Sequence, residues 1–251
     1  MSAITPIDGG MYRRSALAMA VLAIFSTLIF AVVAKGYDRF GTRLLARMDV
    51  SVGEVLMKEG MRCKEAGQIE NAKERFTAAL ASRFAGEQNR VYTLKLLGVI
   101  YWDEGNYAKA APLLDEAAKS PAAEATWFGP YCDTLYRLGK YDEAAGAVER
   151  WQQAVSRRGD HGMMAEAKYY EGLVAVARHE VDMAKRAFGE GAVLNPASNN
   201  GAELAGLLLE QRDYAGALRQ AEGYLAASPT GSRAEAMRLI KRTAEAMLKK
   251  S

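Results

Sequence analysis

The side chains that could carry acid–base, nucleophilic or metal chemistry are sparse. The two histidines, His161 and His179, fall in or near segments that read as turns. No cysteine or carboxylate cluster stands beside either at metal-ligand spacing, so both are expected to face solvent. The two cysteines, Cys63 and Cys132, occupy apolar places in helical segments far apart along the chain. They read as buried packing thiols and not as a disulfide, and such thiols mildly disfavour an oxidising compartment. No phosphate loop, activated nucleophile or dinucleotide fingerprint is present. The expectation is a non-enzyme with no catalytic residue, no cofactor and no metal, whose chemistry is recognition by surface side chains.

Those side chains are positioned by a phrase that returns. Gly105-Asn106-Tyr107-Ala108-Lys109-Ala110 reappears 34 residues later as Gly139-Lys140-Tyr141-Asp142-Glu143-Ala144. Looser copies begin at Gly67, His179 and Arg212, so five units are visible. Each copy has a turn residue, then an apolar or β-branched residue (Ile69, Tyr107, Tyr141, Val181, Tyr214), then an alanine three further on (Ala72, Ala110, Ala144, Ala184, Ala217). Four residues beyond each alanine, on the same helical face, stand Phe76, Leu114, Val148, Phe188 and Ala221. Upstream, a small residue lies among larger apolar ones, clearest at Leu94, Leu97, Gly98 and Tyr101. Pro196 and Pro229 stop the last two second helices, and Pro121 nearly does so for the second unit. The pattern predicts helical hairpins stacked into one solenoid.

On these residues the chain resembles the tetratricopeptide-repeat (TPR) family, roughly over 53–230, most specifically from Leu94 to Ala117. The resemblance implies an all-α, right-handed solenoid of about five helix-turn-helix units. It also implies a protein-binding groove lined by the first helix of each unit. Carried over residue by residue, the lining is Tyr92, Lys95, Val99 and Trp102 in the second unit, Asp133 and Tyr136 in the third, and Tyr169 and Leu173 in the fourth. Aromatic anchors suit binding because they bury much area at low entropic cost. The other reading is that they pack against adjacent helices. The Hsp70 and Hsp90 tail-binding subgroup of the family uses Lys and Asn to hold a carboxylate. Here only Lys95 is suitably placed and the asparagines are absent, which argues against that partner.

Ahead of the repeats, Ser15 to Ala34 is a run of twenty residues without charge, bracketed by Arg13-Arg14 and Lys35. As a helix it reaches about 30 Å, the thickness of a bilayer's hydrocarbon core. It is read as an uncleaved transmembrane anchor over 15–35, after a short tail at 1–14. Val32-Val33-Ala34 would suit a signal peptidase, but the apolar run exceeds the usual core of a cleaved signal. Lys35, Arg39, Arg43 and Arg47 follow the run, so the positive-inside rule taken literally puts the repeats in the cytoplasm. The short tail ending in paired arginines instead resembles the charged start of an export signal. The expectation is a bacterial inner-membrane protein with its repeats exported; a twin-arginine signal lacks its surrounding motif.

Composition fits an anchored helical domain: half of the residues are hydrophobic, prolines number 6, and no stretch alternates like strands. The net charge of +3 is spread through the repeats without the basic stripe that nucleic acid needs. Residues 36–52, with Leu44, Leu45 and Met48 at helical spacing, read as a helical connector. Residues 231–251 read as a capping helix opened by a Ser232/Glu235 capping box. The functional expectation is a membrane-tethered scaffold that docks or assembles a protein complex. A holdase for exported or unassembled chains, and a structural subunit of a large membrane complex, are the alternatives.

Overall fold

The computed structural model describes residues 42–120 and 123–250 of the chain. Among them are α-helices and one 3-10 turn, with no strand. The helices pair as α1 (Thr42–Glu65) with α2 (Ile69–Ala81), α3 (Glu87–Asp103) with α4 (Tyr107–Lys119), and α5 (Phe128–Arg137) with α6 (Tyr141–Ser156). Next come α7 (His161–Ala177) with α8 (Val181–Leu194) and α9 (Asn199–Glu210) with α10 (Tyr214–Ala227). A further helix, α11 (Ser232–Leu248), is the last among the described residues. Each helix packs mainly on its neighbours in sequence, and odd-numbered helices also touch the next odd-numbered one. This nearest-neighbour pattern is that of a solenoid.

All five hairpin turns are built alike. The residue after each odd-numbered helix's cap lies in the left-handed region, with φ of 73° at Gly67, 72° at Gly105, 69° at Gly139, 62° at His179 and 63° at Arg212. Its N–H bonds back three residues and the following N–H five residues, as in Gly105 to the Trp102 carbonyl at 2.9 Å and Asn106 to that of Tyr101 at 2.8 Å. The same pair recurs at His179/Glu180 and Arg212/Asp213. This is the Schellman closure, which satisfies the orphan carbonyls of a helix end. His179 and Arg212 therefore adopt the turn conformation that the repeat assigns to glycine, despite their Cβ atoms.

The packing of each hairpin rests on one contact at fixed spacing. The small residues Gly60, Gly98, Cys132, Gly172 and Ala205 on the odd-numbered helices each precede by 16 residues the side chain that fills the hairpin, Phe76, Leu114, Val148, Phe188 or Ala221. A Cβ built at Gly98 would lie 2.8 Å from the Leu114 side chain, and at Gly172 only 2.3 Å from the Phe188 ring. Where the filler is smaller the opposing residue gains volume, as in Cys132 against Val148 and Ala205 against Ala221. All five repeat alanines, Ala72 through Ala217, are completely buried. Close packing couples the two positions: a large filler needs glycine opposite it, and a smaller one leaves room for a Cβ.

Four sequence readings are revised or fall outside these residues. Ser232 does not cap α11: it is the first residue of the helix, behind Gly231 at φ 97°, and no side chain caps that end. Glu235 is drawn instead to Arg238. Cys132 is buried, whereas Cys63 is only half-buried. The apolar run at 15–34 lies outside the described residues, as does Pro121. Among the described residues no helix is long and apolar enough to cross a membrane. α11 lays Met237 against Ala202, Ala205, Ala221 and Tyr224 and so covers the apolar end of the last hairpin.

Candidate functional site

The surface of interest is formed by the odd-numbered helices on the side away from their hairpin partners. Four places recur there, at six and three residues before the small residue and one and four after it, because these share a helical face. In α3 they are Tyr92, Lys95, Val99 and Trp102, all half-buried. In α5 they are Thr126, just ahead of the helix, then Gly129, Asp133 and Tyr136, and in α7 they are Glu166, Tyr169, Leu173 and Val176.

Neighbouring helices knit this surface together. Trp102 Nε1 donates to Asp133 Oδ2 at 2.7 Å, tying α3 to α5, and Arg137 approaches the other carboxylate oxygen at 3.4 Å. Asp133 is 8 % exposed, so these donors compensate a nearly buried charge. Tyr136 tilts against Tyr141 with ring centroids 5.7 Å apart. Tyr169 meets Tyr170 edge-on at 5.5 Å and the Phe188 ring at 6.2 Å. Leu173 packs beside Phe188 and Leu204. On α3, Tyr92 tilts against Trp127 at 6.3 Å, and the Lys95 ammonium sits 5.7 Å from the Tyr92 ring. The aromatic and aliphatic candidates therefore pack against an adjacent helix and also keep an accessible edge, Asp133 is nearly buried, and Lys95 rests on the Tyr92 ring of its own helix.

The electrostatics divide along the surface. Burial lowers the Lys95 pKa below the ordinary lysine value and nearby Lys64 lowers it further, while Glu124 acts weakly the other way. At the other end, burial holds the Glu166 carboxyl above the usual carboxylate range. Burial, with Asp133 and Glu166 close by, pushes the Tyr170 hydroxyl up, and burial also pushes up the Cys132 thiol. Glu166 was missed in the sequence although its position holds the signal: it precedes Gly172 by the interval that separates Tyr92 from Gly98. Lys64 stands to Gly60 as Trp102 stands to Gly98 and was missed likewise. Both histidines are exposed. Among the described residues no group of His, Cys, Asp and Glu could hold a metal ion.

With this geometry the fold is that of a TPR solenoid, as comparison with solved structures shows. No protein-family model matches the sequence, and no curated protein does. MamA, residues 41 to the end, from Desulfovibrio magneticus RS-1 is similar, with a TM-score of 0.60 and 16 % identity over 72 % of this chain and 97 % of that one. PilF of Pseudomonas aeruginosa gives a TM-score of 0.58 and 19 % identity over 80 % of this chain and 92 % of that one. YrrB, a TPR protein with an unusual peptide-binding site, gives 0.59 and 14 % over 79 % and 97 %.

Proposed function

We propose that this chain is a membrane-tethered scaffold that docks a partner protein on the odd-numbered helices. The observation that carries this reading is the row of half-buried aromatic and charged side chains repeated on α3, α5 and α7. Residues that are part core and part surface present large, pre-ordered anchors whose conformational entropy is already spent in folding. The peptide-binding site of YrrB lends support by analogy of fold. The tether is the uncharged run at 15–34, which is long enough to span a bilayer ahead of α1. In this reading the repeats lie on the exported side of a bacterial inner membrane, and the partner belongs to an assembly at that surface.

Photo-crosslinking in native membranes tests the docking face. A photoreactive residue at Trp102 or Tyr136 is expected to trap one stoichiometric partner, and the same probe at Val193, which is 82 % exposed on α8, is expected to trap none. Equal yields at all three positions would refute the face, and a broad set of trapped clients would favour a holdase. Alkaline carbonate should leave the chain in the membrane. A C-terminal alkaline phosphatase fusion should be active, and an inactive fusion would put the repeats in the cytoplasm.

A further inference from the structure

We infer that the surface spanned by α5 and α7 receives a basic side chain, a lysine or arginine of the partner segment, at Glu166. The inference rests on the docking reading above and names the chemistry of one subsite within it. The first observation is a notch. α5 has glycine at its register place, and a Cβ built on Gly129 would fall 3.2 Å from Glu166 Oε1 and 3.4 Å from the Trp151 ring. The missing side chain lets the carboxylate of α7 rest against the backbone of α5, beside an indole that reaches through from α6.

The second observation is charge complementarity. Glu166 has no hydrogen bond or ion pair among the described residues, although its side chain remains accessible. The lysine and arginine of α5 and α7 are engaged elsewhere, Lys168 with Glu171 at 2.9 Å and Glu190 at 2.7 Å and Arg137 with Asp133 at 3.4 Å, as is Arg233 of α11 with Glu203 at 2.9 Å, while Arg150 of α6 lies over the Tyr131 ring at 5.9 Å. Tyr169 and Tyr170 supply aromatic faces next to the notch, with Tyr170 6.0 Å from Trp151. A carboxylate without a cation, flanked by tyrosine rings, is the arrangement that favours ammonium or guanidinium through charge-assisted hydrogen bonds and cation–π attraction. Lys95 and Lys64, at the other end of the surface, disfavour a basic group there.

Fluorine NMR of the full-length protein in detergent, labelled with fluorotyrosine, reads the site directly. The probes are the blocked peptides acetyl-Ala-Arg-Ala-amide, acetyl-Ala-Gln-Ala-amide and acetyl-Ala-Glu-Ala-amide. The arginine peptide is expected to shift the Tyr169 and Tyr170 signals while the other two do not. Glu166→Gln should weaken its binding about tenfold without lowering the melting temperature. Equal binding of the arginine peptide to E166Q, or equal shifts with the glutamine peptide, would overturn the inference. Shifts confined to Tyr92 with the glutamate peptide would overturn it too and leave the docking face standing. If no peptide shifts any signal the inference fails, whereas the docking reading falls only if crosslinking at Trp102 and Tyr136 fails as well.

Discussion

At the scale of single residues, the surface of the odd-numbered helices trades stability against availability for binding. Glu166 is the clearest instance, because its carboxyl is partly desolvated and unpaired. Burial raises its folded-state pKa above the unfolded value, so between the two values the folded chain holds more protons than the unfolded one. The sign follows: stability falls as pH rises through that window, and the penalty is fully present above the folded value. Glu166→Gln is therefore expected to raise the urea midpoint at neutral pH, with the gain vanishing below the ordinary carboxylate range. A pH-independent gain would show that ionisation is not its source. Trp102 behaves in the opposite way. Its truncation removes the 2.7 Å donor from nearly buried Asp133, so Trp102→Ala should cost about 1–3 kcal/mol in a denaturant melt as well as any partner affinity. Trp102→Phe keeps most of the packing and isolates the hydrogen bond.

At the scale of the helical hairpin, one small residue and its filler 16 positions later act as a unit. Gly172→Ala places a methyl where the Phe188 ring stands and is expected to destabilise by about 1–3 kcal/mol, as overpacking does. Adding Phe188→Leu relieves the clash, so the double variant should be more stable than the sum of the two single changes, a coupling that a mutant cycle measures. The third hairpin already makes this compromise with Cys132 and Val148. The turns carry a separate strain. His179 and Arg212 sit at φ of 62° and 63°, where a side chain costs about 1–2 kcal/mol relative to glycine. His179→Gly is expected to raise the midpoint, and an unchanged or lower midpoint would show that the imidazole compensates through contacts of its own.

At the scale of the whole molecule, stability is a sum over stacked neighbours, and the ends need covers. A chain ending after α6 would strip α7 from Trp151, Val148 and Val155, which lie in one continuous core with Ala167 and Val174. Such a truncated protein should aggregate at concentrations where the full chain stays monodisperse in light scattering. α11 does the corresponding work at the other end by covering Ala202, Ala221 and Tyr224.

The five hairpins were legible in the sequence because their cause is local and repeated. A left-handed turn residue, an alanine at the helix crossing and an apolar residue four places on are composition at fixed spacing, and their burial follows from helical periodicity. The departures at His179 and Arg212 were also visible as departures, but only backbone geometry decided that the turns persist, since hydrogen bonds common to all five outweigh the strain at two. Ser232 and Glu235 matched a capping pattern and still do not cap, because the chain enters α11 through Gly231, one residue earlier than that pattern requires. For the surface, the register selected Tyr92, Trp102, Tyr136 and Tyr169. It could not say that Trp102 reaches Asp133, that Gly129 opens a notch, or that Glu166 lacks a cation. Those are distances between different repeats, and a pattern that repeats along one chain carries no information about which charges find partners across it.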